Sequence, residues 1–124
     1  MPVNDLYYLA REKLAQIVPS ADKEHIRIWG KVDEEFAYSW FESLANAVNK
    51  KMVKGESPLK HSYVFRLMSA QYSQGDEEVK NCIDVAFTEN LFWSVPAEKA
   101  EPYWRILPTN LKELYIAFHH RTPL

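Results

Sequence analysis

The stretch VKNCIDVAFTENLFW, residues 79–93, carries the clearest periodic pattern in the chain. Its apolar side chains recur every three or four residues, which is the repeat of one face of an α-helix. The pattern predicts a helix that begins near the acidic residues 76–78, ends at about residue 93 or 94, and buries one side. That side consists of Val79, Cys82, Ile83, Ala86, Phe87 and Leu91.

Similar patterns divide the rest of the chain into further helices. Helices are predicted over residues 4–18, 20–29, 33–54, 57–74 and from 109 onward, with one further turn near 102–107. In this interpretation Pro19 closes the first helix, and no proline interrupts a periodic stretch. Gly30, Gly55 and Gly75 lie where patterns stop, so each is expected to adopt a left-handed backbone beyond a helix end.

The inward faces of these helices can be listed from the same spacing. The first helix is expected to bury Leu6, Ala10, Leu14 and Ile17, and the long third helix Phe36, Trp40, Leu44, Val48 and Met52. The fourth helix is expected to bury Leu59, Tyr63, Val64, Leu67, Met68 and Tyr72, and the last Leu111, Leu114, Tyr115 and Phe118. The sequence therefore predicts an all-α fold, a compact single-domain array of about six helices over residues 1–124.

Composition narrows the classes of function. The formal charge of −2 provides no positive field for nonspecific attraction to nucleic acid or to an anionic membrane. The single cysteine, Cys82, cannot form an intramolecular disulfide, which suits a reducing cytoplasm. No segment approaches the roughly 20 apolar residues of a membrane span. We therefore expect a cytoplasmic protein that binds neither nucleic acid nor membrane.

Motifs for catalysis or for metal binding are missing from the sequence. The four histidines, at positions 25, 61, 119 and 120, have no spacing typical of zinc ligands. The acidic triplets 33–35 and 76–78 lie at predicted helix starts, where capping and the helix dipole explain them. Asp84 and Glu89 are five residues apart and point in different directions. We predict no catalytic residue, no metal site and no cofactor, and hence no enzyme.

Aromatic residues are abundant, with four Trp, seven Tyr and six Phe. Trp and Tyr commonly anchor protein interfaces, and several aromatic residues lie close to acidic ones after residue 88. This combination predicts an exposed surface that binds a basic protein partner. The predicted partner-binding residues are Glu89, Phe92, Trp93, Glu98, Glu101, Tyr103 and Trp104.

Two alternatives remain open at this point. The chain is either an enzyme or a small-ligand-binding domain whose pocket between helices uses His61, Glu89, Asn90 or Tyr115, or it forms a homodimer through the aromatic surface. The aromatic residues themselves fit a core corner as well as a docking patch. Asn90 lies close to the buried stripe, where an amide needs hydrogen-bond partners and typically joins a polar network between helices.

Two segments of the second half carry a family resemblance. Residues 83–91, IDVAFTENL, and the later pattern Leu107-Pro108-x-x-Leu111-x-x-Leu114-Tyr115 resemble an uncharacterised family of small bacterial helical domains. Some of those domains are similar to immunity proteins that are encoded beside toxins. The resemblance implies a bacterial, cytoplasmic binding protein, and no catalytic assignment carries over from it. Together with the missing catalytic motifs, the mild negative charge and the surplus of aromatic residues, it leads us to expect a protein that neutralises a toxin by covering its active surface.

Overall fold

The computed structural model describes the backbone of residues 2–124 and the side chains of residues 3–124. Within that range the chain forms seven α-helices and no β-strand. The predicted all-α fold is confirmed, and the helices form a compact array. They are α1 (Pro2–Lys13), α2 (Val18–Trp29), α3 (Ala37–Val53), α4 (Ser62–Gln74), α5 (Glu77–Asn81), α6 (Ala97–Ile106) and α7 (Thr109–His119).

The first predicted helix ends earlier than expected, and the second begins two residues earlier than expected. Helix α1 ends at Lys13, a turn follows, and α2 begins at Val18 with Pro19 in its first turn. The prediction that Pro19 ends a helix is wrong, because a proline in the first turn lacks only an N–H that has no partner within the helix. The short helix predicted over 20–29 is confirmed, and Gly30 ends it with the expected left-handed φ of 86°.

Helix α3 forms the centre of the molecule. Asp33 caps the single 3₁₀ turn that precedes it, and its carboxylate accepts a hydrogen bond of 3.0 Å from the Glu35 N–H. Helix α3 packs against α1, α2, α6 and the segment that follows α5. Its predicted inward residues Trp40, Leu44 and Val48 are fully buried, so the core is built around this helix.

The segment 79–93 buries the predicted side, but its helical part ends early. The Asp76 side chain accepts a hydrogen bond of 3.0 Å from the Val79 N–H and begins α5. The chain continues as a π-helix over Cys82–Phe87 and a 3₁₀ turn over Thr88–Asn90. All six stripe residues are buried, as predicted. The helical run nevertheless stops at Asn90, three residues before the predicted end.

Helix α4 is rotated relative to the prediction. Ser57 caps as expected, but it opens a separate 3₁₀ turn, Pro58–Lys60, and α4 begins only at Ser62. This break changes which side faces inward: Leu59 is 75% exposed and Tyr63 is 47% exposed, whereas the unpredicted Phe65 is buried. Placing Leu59 and Tyr63 in the core was therefore wrong.

Two further expectations, one about Pro102 and one about Gly75, are wrong. Pro102 lies inside α6 and not between helices. Ala100 and Tyr103 of the same helix are buried, and their burial stabilises α6 although Pro102 has no N–H to donate. Gly75 has an ordinary φ of −77°, so it is not left-handed. A Cβ atom there would lie 2.6 Å from Cγ1 of Val79, and this close approach explains the glycine.

Candidate functional site

The most unusual local structure is the turn over residues 91–95, named here the Trp93 turn. It directly follows the 3₁₀ turn Thr88–Asn90 and precedes α6. Phe92 has a φ of 68° and Ser94 has a φ of 56°, both in the left-handed region that non-glycine residues seldom adopt. Between them the Trp93 side chain is 73% exposed. Such a backbone persists only where its surroundings hold it.

A buried amide of α3 holds the turn from below. Asn49 is 5% exposed, and its Oδ1 accepts a hydrogen bond of 2.7 Å from the Phe92 N–H. Its Nδ2 donates to the carbonyl oxygen of Asn90 at 2.8 Å. One side chain therefore satisfies two backbone groups on either side of Leu91, and both polar ends of the amide are used.

Helix α7 holds the same segment from the other side. His119 donates from Nε2 to the carbonyl oxygen of Glu89 at 3.0 Å, and its ring stacks on Tyr115 with centroids 4.1 Å apart. The buried Phe92 ring packs edge-on against Tyr115 at 5.5 Å and against Trp104 at 5.8 Å. The turn is thus fixed by hydrogen bonds and by an aromatic cluster beneath it.

Two clefts flank the Trp93 side chain, and this residue lines both. The cleft on the α7 side has a volume of about 250 Å³ and the cleft on the α3 side about 280 Å³. The α7-side cleft is bounded by Glu89, Leu91, Phe92, Ser94, Val95, Tyr115, His119, Arg121 and Pro123. The α3-side cleft is bounded by Glu24, Arg27, Asn46, Asn49, Lys50, Val53 and Ser94.

The pKa values of the carboxylates in the two clefts are shifted in opposite directions. Glu24 is 4% exposed; burial alone would raise its pKa, but hydrogen bonds from Lys50 and Arg27 outweigh burial and keep the pKa below its usual range. The Arg27 bond is 3.1 Å long. Across the turn, burial raises the pKa of Glu89, and the nearby charge of Asp84 raises it further. Both clefts mix cations with carboxylates, so Trp93 is surrounded by charges of both signs.

The structure divides the seven predicted partner-binding residues. Trp93 is exposed, Trp104 is partly buried, and Phe92 and Tyr103 are buried, at 5% and 1% exposure. An exposed aromatic surface that includes Phe92 and Tyr103 was therefore a wrong expectation. Phe92 fills the cluster beneath the turn, whereas the Tyr103 hydroxyl donates to the Glu56 carbonyl oxygen at 2.8 Å on another side of the core.

The three predicted acidic residues do not form one rim. Glu89 lines the α7-side cleft and is partly buried. Glu98 is exposed on α6, and Glu101 forms an ion pair with Arg105 one helical turn later. Neither Glu98 nor Glu101 lines the clefts beside Trp93. Of the predicted set, the structure brings together Glu89, Phe92 and Trp93.

The alternative site is also divided. Glu89 and Tyr115 share the α7-side cleft, but His61 lines a different pocket beside Lys60. The Asn90 side chain donates to the Ala86 carbonyl oxygen at 2.8 Å within its own segment. The link to α3 is made by the Asn90 backbone, so the expected network between helices depends on Asn49.

Sequence reasoning missed the residue that fixes the site. Asn49 follows Val48 on α3, directly beside the apolar stripe, and a buried amide needs partners. That position was a usable signal. The contributions of His119 and Arg121 had no such signal, because they depend on how the end of α7 packs across the turn.

The described residues contain neither a cluster that could hold a metal ion nor a helix that could cross a membrane. Over residues 3–124, no group of three or more His, Cys, Asp or Glu side chains is arranged to hold a metal ion. Cys82 is buried, and burial raises the pKa of its thiol to about 12. None of the helices between residues 2 and 124 combines the length and the apolar character that crossing a membrane requires.

Comparisons with known proteins place the chain in a family without assigning an activity. No curated protein and no solved structure matches it. A family model does match, and it covers residues 11–121, which includes every helix from α2 to α7 and the Trp93 turn. The match reaches well beyond the second half, where the resemblance was seen. The chain therefore belongs to the family described as a domain of unknown function, DUF7674.

Proposed function

We propose that this chain is a non-catalytic protein-binding domain that contacts its partner through the Trp93 turn. The observation that carries the proposal is the Trp93 side chain, which is 73% exposed. It lies between two left-handed residues, Phe92 and Ser94, and the Phe92 N–H is fixed by a buried hydrogen bond to Asn49. Tryptophan is among the residues that contribute most binding energy at interfaces. A turn that is already ordered loses less conformational entropy on binding than a mobile loop does.

The partner in this proposal is a basic toxin domain, and the chain acts as a bacterial, cytoplasmic immunity protein that covers the toxin's active surface. Support comes from the resemblance of residues 83–91 and from the net charge of −2. A shallow groove of about 150 Å³, separate from the Trp93 clefts, is lined by Glu34, Glu35, Glu78 and Tyr38 among others. These carboxylates would attract a basic partner, and Trp93 would anchor it.

Affinity capture with matched variants tests the binding proposal. The purified chain, Trp93→Ala and Leu59→Ala are each immobilised and exposed to native bacterial lysate at low salt. Leu59 is the control because it is 75% exposed on a different element, in the 3₁₀ turn before α4. We expect one protein in stoichiometric amount on the wild type and on Leu59→Ala, and a loss of at least tenfold on Trp93→Ala.

Two further arms test the identity of the partner. Because exposed charges are screened by salt, retention of a basic toxin should weaken between 50 and 500 mM NaCl. If the protein encoded by the neighbouring gene is the toxin, its expression alone should stop growth. Co-expression of the wild-type chain should restore growth, and co-expression of Trp93→Ala should not. Capture of no stoichiometric protein, or equal capture by Trp93→Ala, would contradict the proposal.

A second candidate function is small-ligand binding in the α7-side cleft. The observation that favours it is the convergence of Glu89, Tyr115 and His119 on one cleft of about 250 Å³, with the pKa of Glu89 raised by burial. Perturbed carboxylates in clefts are typical of functional sites. A fragment screen by NMR that shifts the Trp93 indole and His119 signals together would favour this candidate over protein binding.

A further inference from the structure

A separate pocket lies between the turn that joins α1 to α2 and the start of α4. Its volume is about 280 Å³. The apolar part of its wall comes from the buried residues Leu14, Ile17 and Val64. Its polar part comes from Lys13, Lys60, His61, Gln16 and the Tyr63 side chain. None of these residues takes part in the Trp93 turn.

The charges of this pocket are of one sign. Two lysines line it and no carboxylate does, although the chain as a whole carries a net charge of −2. The Lys13 and Lys60 side chains are 48% and 64% exposed, so both ammonium groups lie at the rim of the pocket. Each has a carboxylate from outside the pocket lining nearby, Glu12 at 3.9 Å from Lys13 and Glu56 at 3.6 Å from Lys60. A concave wall with clustered cations raises the local concentration of anions.

His61 is the buried polar group of the wall. It is 7% exposed, and its Nε2 lies 3.0 Å from Oε1 of Glu56. Because an ionised carboxylate can only accept, Nε2 carries the proton. The ring also stacks on the buried Tyr103 with centroids 6.4 Å apart and planes 19° apart. The orientation of the imidazole is therefore fixed from two sides.

Glu56 holds His61 without bringing negative charge to the pocket wall. Its carboxylate lies 3.6 Å from the ammonium groups of both Lys51 and Lys60. The hydrogen bond with His61, followed by these charges, lowers the pKa of Glu56. The Glu56 carboxylate is thus ionised, and the two lysines balance its charge. Glu56 does not line the pocket, whose wall contains only cationic and neutral side chains.

We propose that this pocket binds a small organic anion, with a carboxylate or phosphate group between Lys13 and Lys60 beside His61 and an apolar body against Leu14, Ile17 and Val64. A few convergent polar groups on an otherwise apolar wall are typical of ligand pockets. The site is independent of protein binding through Trp93, and it is formed by different elements of the fold.

Titration with three model compounds tests the chemistry of recognition. Phenyl phosphate, benzoate and phenol share an aromatic body, and only the first two carry an anionic group. The His61 ring signals are followed by NMR. We expect saturable shifts with at least one of the two anions and none with phenol over the same range. The relative affinities of phenyl phosphate and benzoate tell whether the site prefers phosphate or carboxylate.

Variants separate the site from general attraction of anions. Lys13→Gln/Lys60→Gln should weaken binding of the preferred anion about tenfold, because the double variant removes both cations that line the pocket. Lys23→Gln is the control, because Lys23 is exposed on α2 and does not line this pocket. Equal shifts with phenol, unchanged affinity in the double variant, or no saturable shift at His61 would each overturn the proposal. An unchanged melting temperature confirms that the double variant is folded.

Discussion

Residues 79–90 and residues 91–95 follow each other in the chain but are held in place by different interactions. The first segment buries five apolar side chains against α3 and α7, and its backbone is helical throughout. The second contains two left-handed residues and one exposed indole, and it is held by the hydrogen bond that the Phe92 N–H donates to the buried Asn49 side chain. Apolar burial builds the fold in one segment, and buried polar contacts build a protruding surface in the other.

The contrast shows where to look for function in a domain without catalytic motifs. A regular buried helix needs no explanation beyond packing, because burial itself stabilises it. A left-handed Phe92 costs free energy, about 1–2 kcal/mol for such a residue, and the fold compensates for it with buried bonds. Strain that is held in this way, beside an exposed Trp93, favours a binding role for the turn.

Removal of the central ring of the first segment should have the largest effect. Phe87 is fully buried, so Phe87→Ala should lower the free energy of unfolding by about 3–5 kcal/mol through lost transfer energy and a residual cavity. Urea unfolding followed by circular dichroism measures this change. Val85→Ala is the control, since Val85 is 38% exposed in the same π-helix and should change stability far less. Equal losses in both variants would refute the burial argument.

Removal of the polar support of the second segment should rank next. Asn49→Ala leaves the Phe92 N–H without its acceptor and removes the shorter of two donors to Asn90, at a cost of roughly 2–3 kcal/mol. Chymotrypsin should then cut the Trp93 turn faster than in the wild type. Asn46→Ala is the control, because Asn46 lines the same cleft. A protected turn in Asn49→Ala would mean that the aromatic cluster alone holds it.

The first segment was predictable from sequence and the second was not. Spacing identified Ile83 and Phe87 as core residues because a 3.6-residue repeat reports directly on which side is buried. The same logic failed for Tyr63, since the 3₁₀ turn before α4 shifted the register in a way that composition does not reveal. Spacing reports a repeat, and it says nothing about where the repeat breaks.

The candidate site depends on contacts between distant parts of the chain. Trp93 was predicted as a binding residue, but its neighbour Phe92 was placed on the same surface, and the structure buries it against Tyr115. A left-handed residue reverses the direction of the side chain, and no local signal at Phe92 announces it. Asn49 is 43 positions away from Phe92, so only tertiary structure joins the two.

His25 provides a pH test of polar groups within the apolar core. It is fully buried and its Nε2 has no hydrogen-bond partner; its surroundings are Ser43, Trp29, Phe36 and the Asp22 charge. Burial lowers its pKa, and Asp22 opposes this only in part. His25 therefore binds a proton more readily in the unfolded chain than in the folded one. The stability that depends on neutral His25 is fully present above about pH 6.5 and is lost as the pH falls below that value.

The expected loss has a limit and a matched control. One proton changes the free energy of unfolding by at most about 1.4 kcal/mol per pH unit. Urea midpoints at pH 7.5 and 5.5 should differ for the wild type and differ less for His25→Phe, which keeps a ring beside Trp29 and Phe36. A pH dependence that is identical in the two proteins would assign the effect to other titratable groups. His25, whose Nε2 has no partner, would then not differ in its effect on stability from a buried polar group such as Asn49, whose amide oxygen and nitrogen both form hydrogen bonds.

Ser94 offers the smallest and most selective test of strain in the Trp93 turn. A φ of 56° is sterically unfavourable for serine and not for glycine, so this conformation costs Ser94 free energy. Glycine, however, loses more conformational entropy on folding than serine does. The two effects nearly cancel, so Ser94→Gly should raise the free energy of unfolding by about 0.5 kcal/mol or less. Ser94→Val provides the opposite case, because a β-branched residue is far less tolerant of this conformation and should destabilise the protein. If Ser94→Val is as stable as the wild type, the left-handed turn is not the conformation in solution, and the argument for Trp93 as a held anchor fails with it.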